Sequence, residues 1–347
     1  MSSEYHVNKK ERNIVAKDDS YLDATLRPDS WGEYIGQKKI TENIRMMIDA
    51  AKKRKEPIDH LLFYGPAGLG KTTLANIIAK NMGGRLRQTA GPALTKAGDI
   101  AAILSALEDG DVLFIDEAHR INRAIEEMLY PAMESGALHI VVGKGAGARM
   151  LSLTLPRFTL IAATTRPNLL SAPLRSRFGG VFHLDYYMVD DMKNILKRSA
   201  KLLDLSLTHD AIDLLARASR CTPRIANRLL KRVRDFCQVQ GHATADLSVA
   251  QQALDMFSID NAGLEEHDRK LLKIIIERFF GGPVGINALA AALGDDKGII
   301  EDVYEPYLVK TGFITRSPLG RVATPQAYQH LSLKPVMQDN KRAKTIF

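Results

Sequence analysis

The tightest constraint on this chain is residues 59–73, Asp-His-Leu-Leu-Phe-Tyr-Gly-Pro-Ala-Gly-Leu-Gly-Lys-Thr-Thr. Leu61 to Tyr64 form an apolar run that ends at a glycine, as a buried strand does. Gly65–Thr72 then read G-x-x-x-x-G-K-T, and Leu74, Ile77 and Ile78 follow at helical spacing. Strand, glycine-rich loop and helix N-terminus in that order predict a P-loop. Gly68 and Gly70 let the backbone N–H groups turn inward around phosphates, and the helix N-terminus adds a favourable dipole. Lys71 brings a point charge to the outer phosphates, and the Thr72 hydroxyl suits magnesium. The stretch predicts binding of a nucleoside triphosphate such as ATP with Mg2+.

The rest of the chain has to supply a sheet for that loop, and its pattern does so. From Leu61 to about Tyr187 strands are expected at 60–64, 85–89, 111–115, 158–163 and 181–185. Helices at 71–82, 98–109, 121–135 and 171–177 alternate with them, which argues for a parallel α/β sheet. Residues 138–155 interrupt the alternation with two strand-like arms around a turn from Gly143 to Gly147. Leu151, Leu153 and Leu155 share one face of the second arm. That face either packs on its own domain or is an exposed apolar patch for a partner protein.

Past Tyr187 the period is helical, at 190–203, 208–219, 223–240 and 247–257. A break near Asp260 to Gly263 reads as a linker. Helices at 265–280, 285–293 and 297–311 then precede strands at 313–316 and 321–324, the pattern of a winged helix. The expected domains are 1–187, 188–258 and 259–347, with residues 1–20 loosely attached.

Composition narrows the setting. No apolar stretch approaches the ~20 residues that span a bilayer, and the polar N-terminus lacks a signal-peptide core. Cys221 and Cys237 have no metal-ligand spacing, so a reduced cytoplasm is expected. The net charge of +8 is compatible with a nucleic-acid partner without requiring one. Aromatic residues at 6% argue against a dedicated base-stacking surface.

Four further stretches carry chemistry. Val112 to Ile115 lead into Asp116 and Glu117, acids at the C-terminal end of a buried strand, where α/β sheets bind ligands. Asp116 suits magnesium, and Glu117 suits polarising a water that attacks the γ-phosphate. Ala163-Thr164-Thr165-Arg166 ends another strand with a group able to sense that phosphate. Ser171 to Gly179 carries Arg175 and Arg177 on a short helix, and Arg224 begins a helix in the second domain. Guanidinium groups at such places can neutralise charge in phosphoryl transfer.

Gly65–Thr72, Asp116–His119, Ala163–Arg166, Ser171–Gly179 and Thr222–Arg228 together resemble an AAA+ ATPase. Leu26-Arg27-Pro28, Phe279–Gly285 and Glu301–Leu308 narrow the resemblance to the RuvB family of bacterial Holliday-junction branch-migration motors. It covers the chain from about residue 21. The resemblance implies an α/β AAA+ P-loop domain with a parallel sheet, a small all-α lid and a C-terminal winged-helix domain. Leu26, Arg27 and Tyr187 would line the adenine end of the pocket, and Lys71, Thr72 and Thr73 would hold phosphates and magnesium. Thr165 would be sensor 1, Arg224 sensor 2 and Arg177 an arginine finger reaching the neighbouring subunit. Glu134, Ser135 and Gly136 would lie near the nucleotide at that boundary.

The family also implies a hexameric ring on duplex DNA, gripped without sequence preference. Its RuvA partner would dock on the 138–155 hairpin through Leu151 and Leu153, with a RuvC-type resolvase acting indirectly. Arg316 and Arg321 match backbone contacts to DNA, assisted by Lys297. Leu319 stands where the wing turn usually carries another arginine, which implies a weaker grip and a shallower salt dependence. The Asp-Glu-Ala-His spelling also occurs in DEAH-box helicases, but those need two RecA-like domains. A small-molecule kinase would need neither Arg177 in trans nor a winged helix. A switch that uses ATP mainly to change shape is separated by asking whether DNA and partner raise turnover.

Overall fold

A computed structural model of the protein describes residues 25–142 and 149–334. The first twenty residues and the glycine-rich turn at 143–147 therefore lie outside the described residues. The chain divides into two compact units. One runs through Ser206 and includes Cys221–Lys231, and the other comprises Leu207–Arg220 and everything from Arg232 onward.

The first unit is built on five parallel strands. They are β1 (Leu61–Tyr64), β2 (Leu86–Ala90), β3 (Val112–Asp116), β6 (Thr159–Thr164) and β7 (Gly180–His183), in the order β2-β3-β6-β1-β7. Thr159–Thr164 is buried along its whole length. Such continuous burial is what a strand covered on both faces requires, and explains why the central strands β1, β3 and β6 read as nearly unbroken apolar runs, unlike the flanking β2 and β7. Helix Lys71–Met82 packs against this sheet through Leu74, Ala75, Ile77 and Ile78, all fully buried.

Strands β4 (Ala137–Val142) and β5 (Arg149–Thr154) pair antiparallel as a separate hairpin, with Leu138 opposite Leu153 and Ile140 opposite Leu151. Leu138 and Leu155 are buried in the core beneath the sheet, Leu153 is half-buried against that core, and Leu151 is 49% exposed. One stripe thus runs from the interior to the surface, and Leu153 belongs to its packed end. The two readings of this face divide along its length.

In the second unit, helices His209–Ala218 and Leu247–Met256 begin on the side chains of Thr208 and Asp246, which accept the N–H of Ala211 and Val249. Helix Glu266–Lys273 ends in a π-helical segment at Ile274–Arg278 where one uninterrupted helix was expected. A second π segment, Ile300–Tyr304, interrupts the helix expected over 297–311. The wing is an antiparallel pair, Ile314–Ser317 with Gly320–Ala323, and a short helix at Pro325–His330 follows it. Leu271, Leu272, Ile275, Leu289, Leu308 and Ile314 fill the core of this part.

Candidate functional site

The sheet delivers the P-loop to its C-terminal edge. Gly65, Gly68 and Gly70 all take positive φ (140°, 82° and 95°), and a Cβ on Gly65 would collide with the Leu184 carbonyl oxygen. Only glycine tolerates both demands. Lys71 is buried at the helix start and folds back on its own loop, its Nζ donating to the carbonyls of Gly65 (2.8 Å) and Pro66 (2.7 Å). Burial lowers its pKa to about 8, with Asp116 opposing that effect and Arg224 adding to it. Arg224 belongs to the loop's surroundings: its N–H points at the Gly68 carbonyl (3.4 Å), and its Cβ lies 3.0 Å from where a Gly68 side chain would begin.

A cleft beside the loop is lined by Leu26, Tyr34, Gly70, Thr73, Tyr187 and Arg198, among others. Leu26 is fully buried, while Arg27 next to it is exposed. The Tyr187 hydroxyl donates to the Leu69 carbonyl (3.2 Å) and lies 3.1 Å from the Tyr34 hydroxyl, and burial pushes its pKa up to about 12. Arg198 clasps the N-terminal segment over the cleft, donating to the Leu26 carbonyl (2.9 Å) and the Glu33 carboxylate (2.5 Å). Tyr34 and Arg198 carry no motif, and sequence reasoning passed over both.

At the end of β3, Asp116 accepts the N–H of Glu117 (2.9 Å), and Glu117 adopts a left-handed φ of 48°. Arg120 pairs with the Glu117 carboxylate at 3.2 Å, so the general-base candidate is tethered at an exposed site. At the polar end of β6 only one of the two adjacent threonines packs inside. Thr164 is the buried threonine, its Oγ1 lying 2.9 Å from His119 Nδ1 and accepting the Arg166 N–H, while Thr165 is exposed at the sheet edge. Thr165 is thus free to face a ligand, and Thr164 ties β6 to the residues that follow Glu117.

Magnesium fits this donor set in one way. Among the described residues no group of three or more His, Cys, Asp or Glu could hold a metal ion. One hydroxyl (Thr72, next to Lys71) and one carboxylate (Asp116, whose charge acts on Lys71) are hard oxygen donors of the kind Mg2+ takes together with phosphates, so they would suit it.

Arg177 follows the Ala172–Arg175 helix, whose start is capped by the Ser171 hydroxyl. Its guanidinium donates to the Pro173 carbonyl (2.6 Å), pairs with Glu134 (2.9 Å) and lies 4.4 Å above the centre of the Tyr130 ring. Ser135 is exposed, and Gly136 closes the Arg123–Ser135 helix with a φ of 61°. In the wing, Arg316 and Arg321 stand directly opposite one another. Like charges so placed repel, and a fully buried carboxylate, Glu305, answers both. Its Oε1 accepts from Arg316 Nε and from Arg321 Nε (3.0 Å), and its Oε2 accepts from Arg321 Nη2 at 2.8 Å. Burial would raise the Glu305 pKa, but the two guanidinium groups outweigh it and hold the carboxyl below its ordinary value. Lys297 is exposed at the start of a short helix.

Comparison with known proteins decides the family. The profile described as the Holliday junction DNA helicase RuvB P-loop domain matches residues 26–184. The RuvB AAA lid domain follows over 187–260 and the RuvB C-terminal winged helix domain over 261–332. The chain belongs to the RuvB family. A Holliday junction branch migration complex subunit RuvB from Clostridium kluyveri is 54% identical over 314 residues, 90% of each chain. Among solved structures, the Thermotoga maritima RuvB Holliday junction branch migration motor matches with a TM-score of 0.81 at 47% identity. That match covers 89% of this chain and 99% of the other. As a RuvB this protein is a P-loop AAA+ ATPase, with the parallel sheet, lid and winged helix expected of one.

Proposed function

We propose that this RuvB is an ATP-driven DNA translocase that pumps duplex DNA to drive branch migration of Holliday junctions in recombination and repair. It works with RuvA and, through the junction, with a RuvC-type resolvase in the cytoplasm. The observation that carries the reading is one chain holding both a P-loop with Asp116, Glu117 and Arg224 and a wing with two arginines fixed side by side. A kinase has no use for the second, and a simple DNA-binding module has none for the first.

In this reading residues 1–187 form the large ATPase domain, 188–258 the lid and 259–347 the head. Lys71 leaves the Gly65 and Pro66 carbonyls for the β- and γ-phosphates. Leu26, Arg27 and Tyr187 seat the adenine. Thr72 and Asp116 would hold magnesium, which neutralises charge on the phosphates. Glu117 takes up the proton of the attacking water, Thr165 orients that water, and Arg224 bears on the γ-phosphate from the lid. Arg177 completes the pocket of the next subunit in a homo-hexameric ring, aided by Glu134, Ser135 and Gly136. Turnover then shifts lid against large domain, and Arg316, Arg321 and Lys297 pull on phosphates, which carry no sequence. Each base pair broken at a junction is replaced by one formed, so the work goes into barriers and heterology. Leu151, with Leu153 beneath it, docks RuvA.

A junction-migration assay with and without RuvA tests this. ATP-dependent conversion of a synthetic four-way junction into its product duplexes is expected, and Glu117→Gln should stop it. Turnover indifferent to DNA, with junctions left intact, would overturn the proposal.

A further inference from the structure

Tyr130 lies outside every motif, yet the geometry around it is specific. Glu126, Tyr130 and Glu134 are spaced four residues apart on the Arg123–Ser135 helix and so share one face. Glu126 is buried, and its carboxylate accepts the Tyr130 hydroxyl at 3.3 Å. The same hydroxyl lies 3.1 Å from the Ser171 hydroxyl, which caps the short helix leading to Arg177. The ring is therefore fixed at its far end, and its face lies 4.4 Å from the Arg177 guanidinium carbon. Arg177 Nε is buried and has no hydrogen-bond partner among the described residues, so the ring face and the two Nη contacts set the direction of the group.

We infer that Tyr130 is a positioning residue for the arginine finger. It aims the Arg177 guanidinium by its ring face while Glu134, which is solvent-exposed, can be exchanged for a phosphate. The inference rests on the reading of Arg177 as a finger that acts in trans. An aromatic face restrains orientation without competing for the donors that phosphate needs, since it takes none of the N–H groups. A carboxylate alone would hold the charge by satisfying those donors.

Steady-state ATPase of Tyr130→Ala in the full chain with DNA tests it, alongside Tyr130→Phe, which keeps the ring and loses only the hydroxyl. About a tenfold loss of kcat is expected for the alanine variant, with KM for ATP and binding of a fluorescent ADP unchanged. The phenylalanine variant should lie between it and the wild type. Mixing Tyr130→Ala with Glu117→Gln subunits, whose fingers are intact, should raise turnover above the sum of the separate activities. An unchanged kcat overturns the inference. So does failure of that rescue where Arg177→Ala mixed with Glu117→Gln is rescued, because the finger then works in trans and Tyr130 does not direct it. If neither mixture is rescued, the in-trans reading falls and this inference with it.

Discussion

Arg177 and Arg321 are each anchored by a glutamate, and the two glutamates differ in their access to water. Glu134 keeps 58% of its side chain exposed beneath Arg177, whereas Glu305 is fully buried beneath Arg321, itself 14% exposed. A pair whose carboxylate stays in water contributes only ~0–1 kcal/mol, because water screens and can replace it. A buried pair contributes little net, yet removing one partner costs about 3–5 kcal/mol because a charge is left stranded. The ATPase end thus holds its arginine in a way that a competing anion can undo. The wing holds its arginine as part of the fold. Arg316 is intermediate: its Nε is committed to Glu305 while its side chain is 58% exposed.

The comparison can be broken most severely on the nucleotide side. Lys71→Ala should abolish ATP turnover, a fall of at least about a thousandfold; undiminished hydrolysis by the purified variant would refute the P-loop assignment. Arg177→Ala should lose about a hundredfold or more in kcat while still binding ATP, and Arg321→Ala should leave DNA-independent hydrolysis intact. The two glutamates provide the sharpest contrast in stability. Glu305→Ala should destabilise the second unit by about 3 kcal/mol in denaturant melts, and Glu134→Ala by less than about 1 kcal/mol; equal losses would erase the distinction.

The pH dependence carries the same contrast. Glu305 is held below its ordinary pKa, so its contribution is complete above the unfolded-chain value of about 4.3 and is lost as pH falls through the lower folded value. Melting temperature should drop in acid below about pH 4, and Glu305→Gln should flatten that drop. Lys71, near 8 in the free protein, regains its charge against phosphates, so binding at pH 8 should take up roughly half a proton. Titration calorimetry in buffers of different ionisation enthalpy reads that uptake, and affinity should decline as pH rises above 8. The smallest effect on the fold is expected for Leu151→Asp. It should change stability by under about 0.5 kcal/mol and leave basal ATPase intact, while RuvA no longer co-elutes.

The sheet was legible because its central strands are apolar runs bounded by turn signals and alternate with helical patterns, and the expected strand bounds lie within a residue or two of those observed. The P-loop and Asp116-Glu117 were legible because their chemistry allows few substitutes at fixed spacing. Thr164 was not separable from Thr165 by pattern, since both are polar at a strand end and only packing buries one of them. Tyr130 reads as an ordinary helix aromatic, because its significance lies in contacts with residues about forty positions downstream. Glu305 sits among Glu301 and Asp302 and reads as a solvated acid. Only the folded wing, which brings two arginines over one carboxylate, removes it from water.

The hairpin's stripe has a mechanical consequence. Leu151 at the surface and Leu153 beneath it face Ile140 and Leu138, and Leu138 is rooted in the same interior as Leu113, Ile115 and Leu160 of the sheet. A load on the outer leucine would therefore pass through its packed neighbours to the core that backs the strands leading to Asp116 and Thr165. Whatever grips that leucine is bolted to the engine block.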